Sequence, residues 1–107
     1  MLMVNTETIA GHEIVESRGV VIGSTVRTKH IGRDIGASLK SIVGGELTGY
    51  TEMMSEARQE ASQRMEADAV EIGANAIVNV RFSTADVVGA GAEILAYGTA
   101  VVVRPVG

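Results

Sequence analysis

Few side chains in this sequence are of the types that do chemistry, and their spacing is the first constraint on function. Arg33 and Asp34 stand side by side near the start of "IGRDIGASLKSIV" (residues 31–43), whose apolar residues fall at helical intervals. A carboxylate there is favoured by the partial positive charge of a helix N-terminus. The pair therefore reads as a cap or inter-subunit ion pair, or as one wall of a polar pocket at a subunit boundary. Tyr50, Arg81 and Arg18 would complete such a pocket. The candidate binding residues are thus Arg33, Asp34, Tyr50 and Arg81, with Tyr50 better suited to anchoring a helix corner than to acting as a catalytic acid.

Other chemistry is poorly provided for. The chain has no cysteine, which removes disulfides, thiolate zinc sites and thiol nucleophiles together. Its two histidines, His12 and His30, flank a strand-like region 18 residues apart, and each reads as an exposed loop residue. Met53, Met54 and Met65 fall on the apolar stripe of a helix, where methionine is an ordinary core filler. The stretch "VGAGAE" (residues 88–93) has two glycines but lacks the GK[ST] ending of a phosphate loop, and no helix follows it. It reads as a hairpin turn. Ser, His and Asp are present without the arrangement of a triad. The residues favour a non-catalytic protein. The alternative is an enzyme with an interfacial polar pocket built from Arg33, Asp34 and Tyr50.

The elements that must position these residues follow from periodicity. Thr8-Ile9-Ala10 reads as a short strand ending at Gly11. "EIVESRGVVIGSTVR" (residues 13–27) alternates in part and holds two glycines, which predicts one long bent strand, or two short ones broken near Gly19. A first helix over 31–43 ends at Gly44-Gly45, because glycine adopts a left-handed C-cap without steric cost. A second runs from Thr48, its N-cap, to about Ile72, with Gly73 as C-cap. Its apolar stripe is Tyr50, Met53, Met54, Ala57, Ala61, Met65 and Ile72. Arg64 is one turn from Asp68 and placed to pair with it. In "AIVNVRFST" (residues 76–84), Val78, Val80, Phe82 and Thr84 share one buried face. The final strand, "EILAYGTAVVVR" (residues 93–104), is apolar on both faces, so both require cover, one of them from a neighbouring subunit. The order is that of an α+β domain, with helices on one face of a mainly antiparallel sheet.

Composition points the same way. Apolar residues make up 46% of the 107-residue chain but aromatics only 3%. A core of small side chains buries little area per residue, so a chain of this kind gains from a partner subunit. The length is that of a single domain, residues 1–107. The net charge of −4, without a basic block, argues against nucleic acid as a partner. No run of 18 apolar residues is present, so no membrane span is expected. The start of the chain shows no signal peptide, and together with the lack of cysteine this fits the cytoplasm.

"GHEIVESRGVVIG", "RDIGASLKSIVGG", "GANAIVNV" and "GTAVVV", in this order over about Gly11 to Arg104, resemble the YbjQ-like family of small bacterial and archaeal proteins. That resemblance implies a two-layer β-α-β-β core with an extra short helix, similar to dodecin-like subunits. It also implies assembly into a homopentameric ring, with short added strands promoting it. The family carries a heavy-metal-binding label, so a divalent metal ion is the candidate cofactor. No enzymatic activity is firmly attached to it.

Overall fold

A computed structural model describes residues 1–28, 48–87 and 91–107. Five elements follow in order: β1 (Leu2–Met3), β2 (His12–Thr28), α1 (Thr48–Glu71), β3 (Ala76–Val87) and β4 (Gly91–Pro105). They form one four-stranded sheet, ordered β1-β3-β4-β2, with α1 packed on one face. β2 and β3 each pair antiparallel with β4, while β1 pairs parallel with β3. The sheet is thus mixed, and antiparallel over most of its length. The expected first helix, the Gly44-Gly45 cap and the first part of the glycine-rich hairpin lie outside the described residues. So do Arg33 and Asp34.

β2 is one strand of 17 residues rather than two, and it bends where the glycines predicted. Its register against β4 shifts between Ile14 and Glu16 and between Ser17 and Gly19, with Gly19 at φ 101°. At about 3.3 Å per residue such a strand spans roughly 55 Å. That accounts for the molecule's longest dimension of 57 Å. The radius of gyration, 17.3 Å, exceeds the roughly 13 Å of a compact domain of this length.

α1 docks through its smallest residues. Ala57, Ala61, Met65 and Ala69 are fully buried, against Val21, Ile77, Ile94, Ala96 and Ala100 of the sheet. Contact is close enough to involve backbone. A β-carbon on Gly23 would lie 1.9 Å from the carbonyl oxygen of Ala61 and 2.4 Å from the amide nitrogen of Met65. The helix ends as expected at Gly73, φ 82°, where the amide of Gly73 donates to Val70 O at 3.0 Å and that of Ala74 to Ala69 O at 3.0 Å. This is the paired-bond C-cap that a left-handed glycine permits. Ile72 falls beyond the last helical residue and is exposed, so Ala69, not Ile72, completes the stripe.

Two expectations about the strands are corrected. The first strand is Leu2–Met3, not Thr8-Ile9-Ala10. Ile9 instead sits in a turn closed by a bond from the amide of His12 to Ile9 O, and is buried under the sheet with Ala76, Val78, Val101 and Val103. In β3, Val78 and Phe82 do not share a face. The register breaks between Val78 and Arg81, and Asn79 adopts φ 54°. β3 takes up one extra residue there, so Ala76 and Val78 face away from α1 while Phe82 turns toward the helix side, opposite Ala96. β4 behaves as read on one side: Ile94, Ala96 and Ala100 are sealed by α1. On its other side only Val101 and Val103 are covered, by the N-terminal segment.

The docking of α1 makes a direct prediction. Gly23→Ala forces the helix backbone off β2, at a cost of about 3 kcal/mol or more, the upper end of what overpacking does. Urea titration checks this: the midpoint falls well below wild type. Equal midpoints would mean that α1 does not rest on Gly23.

Candidate functional site

The structure does not gather the residues singled out by type. Arg33 and Asp34 lie outside the described residues, as does the side chain of Tyr50, which belongs to the first turn of α1. Arg81 has a structural task. Its guanidinium donates to the carbonyl oxygens of Asn5 at 2.9 Å and Val80 at 3.2 Å, tying the N-terminal segment to the β3 register break. Arg18 is on β2, separated from β3 by β4, so the two arginines line no common pocket. It bonds Glu16 at 3.1 Å and passes over Gly73, where its positive charge suits a helix C-terminus that has no basic residue in its last turn.

Three features that residue type alone did not signal are more substantial. The first is a groove of about 410 Å³ between the flank of α1 and the β3 side of the sheet. Because α1 lies over β2 and β4, the helix-side surface of β3 is only partly covered, and Phe82 remains 49% exposed. Phe82 and Met3 line one side of the groove, and Arg58, Gln59, Ser62, Gln63 and Glu66 the other. The groove is open to solvent, with one aromatic surface and an amide-bearing wall. Phe82 was not legible on this side of the sheet, because the Asn79 bulge reverses the alternation.

The second feature is a charged cluster at the β2 edge. Glu60 accepts from Arg27 at 3.1 Å and from Arg64, one turn along the helix. Arg64 also donates to the carbonyl oxygen of Ser24, capping a free acceptor of the edge strand. The expected Arg64–Asp68 pair is replaced by these contacts, because Glu60 and Ser24 are both within reach of the guanidinium. Among the described residues the Thr25 hydroxyl, 3% exposed, has no partner, and neither has the buried Arg27 Nε.

The third is the sheet face turned away from α1. Val20, Ile22 and Val26 of β2 are 70%, 49% and 51% exposed there, next to Tyr97 of β4 at 37%. These residues form one adjoining set, since Ile22 is directly opposite Tyr97.

A metal centre finds no support in the geometry. Among the described residues no three His, Cys, Asp or Glu side chains converge. His12 Nδ1 lies 2.9 Å from Ala10 O, which can only accept, so that nitrogen carries the proton. No described helix is long and apolar enough to cross a membrane.

Comparison with known proteins gives consistent results. The profile of the YbjQ family, described as "Putative heavy-metal-binding", matches residues 1–104. A UPF0145 protein of Dehalococcoides mccartyi strain BAV1 is 61% identical over 104 residues, covering 97% of this chain and all of that one. UPF0145 proteins of Vibrio campbellii and Thermosipho africanus are 59% and 53% identical, over 94% and 97% of this chain and 97% and 96% of theirs. A crystal structure from Pediococcus pentosaceus, described as a DUF74 family protein with unknown function, superimposes with a TM-score of 0.59 at 18% identity. It covers 99% of this chain and 98% of that one, and at this identity it speaks for the fold alone.

The Glu60 cluster predicts a salt-dependent stability term. Glu60→Ala costs about 1 kcal/mol at low ionic strength and less in 1 M salt, where charges are screened within about 3 Å. Urea midpoints at the two salt concentrations measure it. A penalty independent of salt would show that packing, not charge, is what Glu60 contributes.

Proposed function

Because the chain belongs to the YbjQ family, we propose that it is a non-catalytic, self-assembling binding module: identical copies cover each other's sheets, close into a homopentameric ring, and hold a small ligand where subunits meet. The observation that carries this is the bare apolar set Val20, Ile22, Val26 and Tyr97 on the face away from α1. Three large aliphatic side chains and a tyrosine in one patch mark an interaction surface, not an ordinary scatter of exposed apolar residues. The extended shape supports the same reading, since a protomer 57 Å long and 16 Å thick keeps little of itself from water. The sheet also has two different edges, β2 on one side and β1 with β3 on the other. Unlike edges suit head-to-tail association, which closes into a ring when the rotation permits.

The ligand, in this proposal, is organic and of mixed polarity, and the groove at Phe82 is the described space that fits it. A cytoplasmic location belongs to the same proposal, on a chain that has no cysteine to oxidise. The enzymatic alternative rests on Arg33, Asp34 and Tyr50, whose side chains lie outside the described residues.

Light scattering after size exclusion tests the proposal. At micromolar concentration the wild type elutes at a multiple of the 11.1 kDa protomer, fivefold for the ring. Ile22→Lys, which places a charge in the apolar set, shifts the mass down toward the single protomer while the far-ultraviolet circular dichroism stays that of a folded chain. A wild type that elutes as a stable monomer would overturn the proposal.

A further inference from the structure

Thiophilic ions such as Cd(II) and Cu(I) are held by thiolates, or by several thioethers together. The chain has no cysteine and five methionines. All five methionines, at positions 1, 3, 53, 54 and 65, lie within the described residues, so the whole stock of soft donors is visible. Met65 is sealed in the core at 0% exposure. Met54 packs against the same core. Met53 precedes it on α1, half-buried and about 100° around the helix. Met1 and Met3 face solvent on the N-terminal segment, and Met3 lines the groove beside Phe82.

Among the described residues several harder donors are already engaged, and His30, Asp34 and Glu46 lie outside them. Glu13 pairs with Arg104, Glu16 with Arg18, Glu60 with Arg27 and Arg64, and Glu66 with the amino group of Met1. His12 has one ring nitrogen engaged with Ala10 O. Ion binding at these carboxylates would have to displace positive partners already in place.

We infer that this chain does not bind thiophilic heavy metals, and that the description attached to its family does not extend to it in that respect. The reason is chemical: two solvent-exposed thioethers on a flanking segment, without a thiolate, do not make a coordination shell for a soft ion. The inference rests on the donor inventory and not on the assembly proposed above. Assembly nevertheless enters the test, because ring closure would repeat Met3 or His12 around an axis.

The experiment uses the full chain in its native assembly, incubated separately with excess Cd(II) and with Cu(I) under reducing, oxygen-free conditions. Each sample is desalted, its metal content is measured by plasma mass spectrometry, and its Tm is compared with that of the untreated protein. The inference expects no ion to be retained and no change in Tm. Retention of one ion per protomer, or one per assembly, with a raised Tm would overturn it. If that retention disappeared in Met3→Leu or His12→Gln, the inference would still be overturned and the site located. The mass of the assembly, read in the same samples, reports on the proposed function separately.

Discussion

The close approach of α1 to β2 is the contact on which the rest of the molecule depends. At Gly23 the helix backbone comes near enough that even a methyl group would be excluded. Such an approach requires small residues on both sides, and the chain supplies them: Ala57, Ala61 and Ala69 on the helix, Gly23, Ala96 and Ala100 on the sheet. Dispersion and burial at this seam come from many close contacts instead of large side chains. Each alanine removes little area from water, so the seam fixes geometry better than it accumulates stability.

The position of the seam decides what is left uncovered. A helix held over β2 and β4 leaves the helix side of β3 partly open, and that opening is the groove beside Phe82. On the opposite face the N-terminal segment seals one end with Ile9 and Val4. The remainder, around Ile22 and Tyr97, has no cover among the described residues. Among the described residues the large side chains therefore lie mostly on surfaces, with Met65, Ile77 and Ile94 as the bulkier residues fully inside. That distribution is the physical basis for reading the protomer as a part of something larger.

How much of this was legible in the sequence can be argued residue by residue. The long helix, its glycine cap and the small-residue middle of its stripe were readable, because helical period and C-cap chemistry are local. The double role of glycine in β2 was readable in kind: Gly19 marks a bulge and Gly23 a close neighbour. The facing of β3 was not, since alternation predicts facing only where the register is unbroken, and Asn79 in the left-handed region breaks it. The N-terminal strand was misplaced because Leu2–Met3 is two residues long and owes its state to β3, not to its own pattern. Of the candidate site, the helix that forms one wall of the groove was legible but its relation to Phe82 was not. Arg81 was chosen for its charge, and no sequence pattern announces that a guanidinium will be occupied by the carbonyls of Asn5 and Val80.

The central claim is that the sheet face opposite α1 is finished by another copy of the chain. Hydroxyl-radical footprinting of Tyr97 over a dilution series reads this most directly, because its ring lies within the bare patch and reacts only when water reaches it. The account predicts that Tyr97 is protected at micromolar concentration and becomes reactive as the protein is diluted. Full reactivity at every concentration would contradict it.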